Sequence, residues 1–546
     1  MLYWNSPGLK IRYKSLYERC KKVFKKGKIK TNNAGYAFVE CDTNQYALDL
    51  PQSRKCLNAD DVLFSLSKEG TVDYLKVTAR QANIYVGKVD YKGGNWVLLP
   101  DQPCFCPIFL KGLTYLVPGV IVAARIDSSQ LVGPAYAKLE RVLGAKEDAA
   151  FIAEYALAKY DLESVFDYRP IQWLKKNTLP DVSASTSHID LTADYFITID
   201  GEDTKDLDDA ICITKNSDGF LLKVAIADVS YFIKENSDID KCAYERGTSV
   251  YFADRVTPML PVELSNGILS LQENTNRLTV VCEMQINTDG KLLGYKFFRG
   301  KIINKHRLSY NEVNEVIKGF HVGVPEQTTK TIDLLLDLYN TISVNNRSVQ
   351  ELDDDNNILV KKDENGYILV EDQRNTAHFL VETAMLLANE CAASQLITIK
   401  KPFLRAQTPL TKEGFRELSD WIGFPVPEDF KALWDVLNES SNKKGAAIKL
   451  KSLMSPAEYV AESKKHYSLN KEAYTHFTSP IRRYADLTVH RLLLGEKISK
   501  PLTQIAEKCT EQNKKAKFAE KLFSDIVKKR LIAKNIEAQM QLPAIV

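Results

Sequence analysis

The stretch "TIDGEDTKDLDDA", residues 198–210, decides how this chain folds and what it does. Between Asp200 and Asp209 it places six carboxylates against one lysine. Apolar, strand-like runs flank it at 195–199 and 210–213. Carboxylates held close together repel one another, and their burial costs free energy unless a partner compensates for it. The stretch therefore predicts an acidic loop between two buried strands.

A divalent cation is the partner that would make this loop tolerable. Mg²⁺ prefers hard oxygen ligands, usually a few carboxylates together with waters and substrate phosphate. Two such ions about 3.5–4 Å apart can activate a water and stabilise the leaving oxygen of a phosphodiester. The candidate ligands are Asp200, Asp206, Asp208 and Asp209. EF-hand spacing does not fit, so the remaining alternative is a solvated acidic turn, which needs no buried flanking strands.

The distribution of charge agrees with this interpretation. The chain has 546 residues, too many for one core, and its net charge of +3 does not by itself indicate a nucleic-acid binder. Basic residues are concentrated at 21–30 and 511–530, whereas acids cluster at 200–209 and 351–357. This pattern favours a protein that binds a polyanion and catalyses a metal-dependent reaction on it. The alternative is that these charged residues belong to ordinary solvated surfaces.

Cysteine usage and hydropathy indicate the cellular compartment in which the protein is expected. The ten cysteines form no CxxC pair, and several stand inside apolar runs, which predicts reduced, buried thiols in a cytoplasmic protein. The N-terminus lacks the apolar core of a signal peptide. No run reaches the roughly 18 apolar residues of a membrane helix. We therefore expect a cytoplasmic monomer without membrane contact.

The N-terminal quarter of the chain reads as two successive sets of about five short strands. This predicts two small β-barrels of the OB or cold-shock type, at 1–78 and 79–145. Such barrels bind single-stranded nucleic acid through aromatic platforms in a basic groove. Candidate platform residues, each with core packing as the alternative, are Tyr36, Phe38, Tyr85 and Trp96.

The rest of the chain predicts a linking helix and connector at 146–187 and a mixed α/β domain at 188–535. Residues 536–546 end on an apolar, strand-like run, and we expect the start of a truncated OB-type barrel there. The fold class is therefore multidomain α+β. Helices are predicted at 328–346, 376–396, 412–422, 456–463, 484–495 and 503–535.

Five segments of the second half resemble, in order, the signature segments of the ribonuclease II (RNB) family. They are "FITIDGEDTKDLDDA", "KVAIADVSYFI", "ERGTSVYFADRVTPMLPVELSNGILSL", "AHFLVETAMLLANE" and "EAYTHFTSPIRRYADLTVHRLL". The resemblance covers about 185–535 strongly and the N-terminal barrels by pattern only. It implies two cold-shock-type barrels, an RNB catalytic domain and a C-terminal OB-type barrel.

The resemblance also implies a metal centre with a catalytic arginine. It makes Asp200, Asp206, Asp208 and Asp209 the family's four magnesium-site aspartates, with Asp208 the most critical to catalysis. One or two Mg²⁺ ions would be held, with Mn²⁺ as a substitute. Arg482 matches the catalytic arginine that binds the scissile phosphate. A structural salt bridge is the alternative for Arg482, and Arg483 is the neighbour that could be confused with it.

Three further residues match RNA-binding positions of the family. Tyr251 would stack on a 3′-terminal base, Tyr310 would steady the last nucleotide, and Glu382 would contact the terminal ribose. The alternatives are a core tyrosine, a packed or surface tyrosine, and a buried pair of Glu382 with an arginine or His378. One departure is visible: the family commonly reads ADVSH, and this sequence reads ADVSY, with Tyr231. We expect only local effects from it.

The implied function is a processive 3′→5′ exoribonuclease that hydrolyses single-stranded RNA to nucleoside 5′-monophosphates by a two-metal mechanism. Three alternatives remain open. The same fold could serve a catalytically silent protein that binds RNA 3′ ends, or the enzyme could act on single-stranded DNA. The loop could also belong to a calcium-binding structural module, which the EF-hand mismatch disfavours.

Overall fold

The computed structural model describes residues 23–42, 44–112, 116–144, 151–177, 179–180, 182, 185–320, 323–343, 357–364, 366–372, 374–440 and 442–537. Most of the acidic stretch expected at 351–357 and nearly all of the segment expected to start a further barrel, 538–546, lie outside these residues. The chain divides into two compact units, 1–163 and 164–546.

The first unit begins with a five-stranded antiparallel sheet in the order β3-β2-β1-β4-β5. Apolar residues that alternate along the strands, such as Ile29, Val39 and Phe64, face one core. A short helix, α1, lies between the third and fourth strands. The elements are β1 (Lys25–Thr31), β2 (Ala37–Cys41), β3 (Asn44–Ala47), α1 (Leu50–Ser53), β4 (Asp61–Leu66) and β5 (Val72–Ala79).

The next five strands close into a barrel in the order β10-β8-β7-β6-β9, and helix α2 follows them. Gly87 of β6 pairs with Pro100 of β7, and a Cβ at this position would overlap the carbonyl oxygen of Leu99. The elements are β6 (Ile84–Lys92), β7 (Asn95–Pro100), β8 (Ile108–Lys111), β9 (Ile121–Ile126), β10 (Ala135–Gly144) and α2 (Phe151–Lys159).

The candidate platform aromatics of this unit divide into core and surface residues. Tyr85 is buried in the barrel core, and Trp96 packs partly buried against that core. Tyr36 is exposed and meets Phe105 edge-on, with ring centroids 5.3 Å apart. Phe38 is half-buried. Tyr36 therefore remains available as a platform, whereas Tyr85 is a core residue.

The second unit is built on a six-stranded mixed sheet in the order β11-β18-β12-β13-β14-β17. Parallel pairing of β12 with β18 sets Asp200 beside Ser309 at the ends of these strands. The sheet strands are β11 (Ile189–Asp190), β12 (Phe196–Asp200), β13 (Asp209–Asn216), β14 (Gly219–Ala227), β17 (Asn276–Asn287) and β18 (Leu292–Ser309). Three two-stranded ribbons are β15 (Val250–Tyr251) with β16 (Val256–Thr257), β19 (Asn357–Asp363) with β20 (Gly366–Asp372), and β21 (Leu404–Ala406) with β22 (Glu458–Val460).

Helices cover this sheet, and apolar side chains from both form the main core. The helices are α3 (Tyr168–Lys176), α4 (Val229–Phe232), α5 (Asp238–Arg246), α6 (Tyr310–Ile317), α7 (Glu326–Ser343), α8 (Thr376–Thr398), α9 (Lys412–Ile422), α10 (Phe430–Glu439), α11 (Lys443–Leu453), α12 (Tyr484–Leu493) and α13 (Leu502–Glu537). Across the described segments, every helix is too short or too polar to cross a lipid bilayer.

Five of the six predicted helices are present, with ends that differ by a few residues. The helix predicted at 456–463 is wrong. This segment contains strand β22, in which Tyr459 is buried and opposes Arg405 of β21. Its partner strand is about fifty residues away in the chain, so local spacing gave no sign of the pairing. The described cysteines are free thiols, and most are buried, as expected.

Candidate active site

The acidic loop joins two buried strands, as the sequence predicts: β12 ends at Asp200 and β13 begins at Asp209. Arg307 of β18 fixes the first half of the loop. Its Nη2 donates to the carbonyl oxygens of Glu202, at 3.0 Å, and Thr204, at 2.7 Å. A guanidinium that binds two backbone carbonyls restricts the path of the loop beside Asp200.

Buried contacts fix the second half of the loop. Leu207 points into the core, and its N–H donates to Ser270 Oγ at 3.2 Å. The same hydroxyl donates to the carbonyl oxygen of Lys205 at 2.7 Å. The carbonyl oxygen of Leu207 accepts from Leu271 N at 3.0 Å. Because Leu207 is anchored in this way, the aspartates on either side of it have a defined position.

Asp208 is buried in the loop, and its charge is only partly compensated. Its buried carboxylate accepts one hydrogen bond at Oδ1, from Ile481 N at 2.9 Å. Among the residues that the structure describes, Oδ2 is buried without a hydrogen-bond partner, and the cation that faces it is Arg482, whose Nε lies 3.7 Å away. Burial raises the pKa of Asp208 well above its ordinary value, and the charge of Arg482 only partly opposes this.

Asp200 and Asp209 also have raised pKa values, because their carboxyl groups are buried close to other charges. Burial, and then the charge of Asp206, raises the pKa of Asp200 to about 6 against the opposing charge of Arg482. Burial, and then the charge of Asp200, raises the pKa of Asp209 to about 8. Oδ2 of Asp200 is also buried without a hydrogen-bond partner. Crowded carboxylates with orphaned oxygens are what a divalent cation would satisfy, so these residues fit a hard metal ion.

The two adjacent arginines have different environments. Arg483 forms two hydrogen bonds to the buried carboxylate of Asp486, at 2.8 and 2.7 Å, and is a structural residue. Arg482 is 43% exposed and points towards Asp208, and its one side-chain hydrogen bond within the described part of the chain is to the Ser479 hydroxyl, at 3.0 Å. Of the two guanidiniums, that of Arg482 therefore has donors available for a ligand.

Tyr251 borders the acidic loop and is 36% exposed, so it is not a core tyrosine. Its hydroxyl donates to Asp206 Oδ2 at 3.1 Å. Its N–H donates to Glu520 Oε1 of α13 at 2.9 Å. Burial and the charges of the loop aspartates, opposed in part by Arg482, raise the pKa of its phenol. The hydroxyl is therefore a neutral donor that holds Asp206.

Tyr310 opens helix α6, directly after Ser309, which caps the helix together with Glu312. One face of its ring stacks on His378 of α8, with centroids 3.9 Å apart and an interplanar angle of 13°. Burial, and then the charges of Asp200 and Asp209, raises its pKa. The ring is packed on one side and lies within electrostatic reach of the aspartates.

Glu382 lies on α8, one turn beyond His378, and is partly exposed. Its carboxylate pairs with Arg374. The predicted alternative of an ion pair with an arginine therefore exists, although the pair is not fully buried. The Arg374 guanidinium also lies over the ring of Phe379, 4.8 Å from its centroid.

Tyr231, the departure from the family pattern, belongs to a buried network. Its N–H donates to Asp228 Oδ1 at 3.0 Å, and its ring meets His188 edge-on. Burial alone would raise the pKa of Asp228, but its hydrogen bond with His188 and the charge of Arg299 hold that pKa well below its usual range. The tyrosine therefore packs within an ion-pair network of its own.

Sequence reasoning missed three residues that shape this site. Arg307 directly precedes the "LSY" segment, and an arginine at the end of a buried strand was a usable signal. Ser270 and Glu520 gave none, because a serine after an apolar run and an acid in a basic helix are common on solvated surfaces.

The most tightly grouped metal-ligand side chains of the described residues lie outside the acidic loop. Within the described residues, one group of three such side chains has ligand atoms all within 4.8 Å: Asp167, Cys242 and Glu245. Arg169 already pairs with Asp167 and with Glu245. A resident guanidinium therefore neutralises this group, whereas the more widely spaced aspartates of the acidic loop have orphaned oxygens.

Fold and site together define a class: multidomain proteins in which two small β units precede an α/β domain with an aspartate–arginine centre. A family model described as "RNB domain" matches residues 188–495. The chain belongs to the RNB family. This result confirms the family and the fold class that the sequence predicts.

Named relatives agree with this assignment. Ribonuclease R of Escherichia coli (strain K12) is 31% identical over 507 residues, which cover 86% of this chain and 61% of that protein. Ribonuclease R of Thermotoga maritima is 31% identical over 572 residues, 95% of this chain and 79% of the relative. A solved structure, Mycoplasma genitalium RNase R in complex with ribose methylated single-stranded RNA, matches with a TM-score of 0.81 at 23% identity, over 94% of this chain and 87% of that chain.

Proposed function

We propose that this chain is a processive 3′→5′ exoribonuclease that hydrolyses single-stranded RNA to nucleoside 5′-monophosphates. The observation that carries the proposal is the pair of buried, unpartnered carboxylate oxygens of Asp200 and Asp208 beside the exposed Arg482, inside an RNB domain. Relatives named Ribonuclease R, one of them solved with single-stranded RNA, support the substrate class.

Asp200, Asp206, Asp208 and Asp209 would hold one or two Mg²⁺ ions, with Mn²⁺ as a substitute. Two of their oxygens are buried without partners, and carboxylate oxygens are the ligands that Mg²⁺ prefers. When bound, such ions supply an activated water and offset charge on the leaving 3′-oxygen. Tyr251 would hold Asp206 in place through its hydroxyl.

Arg482 would bind the scissile phosphate. Its guanidinium is only partly committed, to a serine hydroxyl and at 3.7 Å to Asp208, so most of its donors can serve a phosphate. A planar guanidinium binds two phosphate oxygens at once and offsets charge as it develops.

Three side chains would position the last nucleotides. Tyr251 offers a partly exposed ring at the edge of the loop, and Tyr310 offers the face that His378 does not cover. Base stacking on an aromatic ring is worth about 1–3 kcal/mol and tolerates every base. Glu382 would accept a hydrogen bond from the terminal ribose, where a 2′-hydroxyl differs from hydrogen.

The domain assignment is part of the proposal. Residues 1–78 and 79–145 would be OB-type RNA-binding barrels, 146–187 a connector, and 188–535 the catalytic domain. In the first of these, lysines of β1 and the exposed Tyr36 supply the basic and aromatic surface that single strands need. Processivity would follow if the RNA stays enclosed between successive cleavages.

A time course with a single-stranded oligoribonucleotide that is labelled at its 5′ end and, in a parallel reaction, at its 3′-terminal nucleotide tests the proposal. We expect nucleoside 5′-monophosphate from the 3′ end, with Mg²⁺ and not with EDTA. An oligonucleotide with 2′-deoxyribose at its 3′ end is the matched substrate control for ribose selectivity. Binding without mononucleotide release would replace the proposal by the catalytically silent 3′-end-binding protein.

A further inference from the structure

A buried arginine, Arg405, lies on β21. Arg405 is 6% exposed, and its Nη1 is buried without a hydrogen-bond partner. Among the residues that the structure describes, no carboxylate forms an ion pair with it. Its guanidinium lies over the ring of Tyr459, 4.6 Å from the centroid. A guanidinium stacked on a ring keeps its N–H groups in the plane, directed sideways. A buried cation without an anion is costly unless a ligand supplies the anion.

A second cation stands nearby on helix α13. Desolvation, and then the positive charge of Arg405, lowers the pKa of Lys517. In the described part of the chain, Lys517 forms no ion pair. A hydrogen bond of 2.8 Å from Tyr459 N to Thr510 Oγ1 attaches the β21–β22 ribbon to the same helix. Two like charges are therefore held together on adjacent elements.

These cations continue a path that starts at the acidic loop. Asp206 accepts from the hydroxyl of Tyr251, whose N–H donates to Glu520. Lys517 precedes Glu520 by three residues, so both lie on one face of α13, about 5 Å apart along the helix axis. Arg405 then follows Lys517. The order along the path is the loop carboxylates, the ring of Tyr251, the carboxylate of Glu520 and then the two cations. The cations at the far end suit an RNA strand that enters with its 3′ end towards the loop.

We propose that Arg405 and Lys517 form a second phosphate site, which binds one backbone phosphate upstream of the scissile bond. The inference rests on the proposed function, because RNA is the polyanion it invokes. A phosphodiester fits because it offers the in-plane oxygens that a stacked guanidinium needs. This site contacts no base, so it would bind RNA of every sequence equally well.

Binding measurements in an Asp208→Asn background test the site without degradation of the probe. The probe is a fluorescein-labelled oligouridylate, and its dissociation constant is measured at several salt concentrations. For a single strand, the logarithm of the association constant falls linearly with the logarithm of the salt concentration. Each phosphate that the protein neutralises adds about 0.7 to the steepness of this line. The added substitutions are Arg405→Gln and Lys517→Gln, with Lys529→Gln, an exposed lysine further along α13, as the matched control.

We expect each of the first two variants to reduce this steepness, by up to about 0.7, which is the value for one phosphate, and Lys529→Gln to keep it. Probes with one neutral methylphosphonate linkage, moved along the strand, should bind more weakly at one upstream linkage, and this penalty should vanish in Lys517→Gln. A folded Arg405→Gln or Lys517→Gln protein with an unchanged slope and an unchanged penalty would overturn the site. If Arg405→Gln does not fold, the exposed Lys517→Gln carries the test. A chain that binds RNA but releases no mononucleotide would refute the proposed activity and leave this site standing.

Discussion

Replacing Asp208 with asparagine removes one charge and almost nothing else. The amide oxygen of asparagine can still accept the hydrogen bond from Ile481 N, which Oδ1 now accepts at 2.9 Å. The lost charge is the one that lies 3.7 Å from Arg482 and lacks any hydrogen bond at Oδ2. The variant therefore separates the electrostatic role of Asp208 from its packing.

The size of the effect follows from these distances. Two unit charges 3.7 Å apart attract by about 1 kcal/mol in water and by about 4–5 kcal/mol at an effective dielectric constant of ~20. Arg482 is 43% exposed, so its pair with Asp208 lies towards the lower value. Loss of a preorganised charge at a reacting centre typically costs about 10²–10³ in kcat. We expect a fall in turnover of at least this order, with RNA binding retained.

Single-turnover degradation and equilibrium binding, measured on the same labelled RNA, check this expectation. Turnover within a few-fold of wild type at saturating Mg²⁺ would show that Asp208 is not a metal ligand. Stability supplies the control: without metal, the variant should unfold at the same or a higher urea concentration, because a buried, repelled carboxylate is gone. A clear loss of stability would instead show that Asp208 serves the fold.

Three other outcomes are expected. The folded pKa values of Asp200 and Asp209 are raised to about 6 and about 8, so the folded metal-free protein binds more protons than the unfolded chain. Its stability should fall from about pH 4 to about pH 8 and recover with Mg²⁺; flat urea midpoints in EDTA would contradict this. Tyr251→Ala should change the length of the final undegraded RNA, seen on a gel, more than the cleavage rate, and an unchanged end product would exclude a stacking role. Arg482→Gln should lower kcat at nearly unchanged stability, whereas Arg483→Gln should cost about 3–5 kcal/mol of unfolding free energy by leaving Asp486 buried and unpaired; equal effects on urea unfolding would refute the distinction.

Much of the architecture could be predicted from local patterns. Apolar runs on both sides of the aspartates predicted β12 and β13, because a buried strand needs continuous apolar residues. Helical spacing predicted α8 and α12 within a few residues of their ends. The helix predicted at 456–463 failed because a short strand takes its conformation from its partner, and the partner β21 is distant in sequence.

The sequence alone determined which residue types stand at the site and that crowded carboxylates need a cation. The resemblance favours Arg482 over Arg483, and only the tertiary structure shows how their surroundings differ, since one faces Asp208 and the other is bound to Asp486. The contact between Asp208 and Ile481 spans 273 residues of chain, and Arg307 reaches the loop from another strand. The physical reason is that the energy of a charge interaction depends on the distance between the groups and on their burial. Folding sets this distance and this burial, and the separation of two residues along the chain predicts neither.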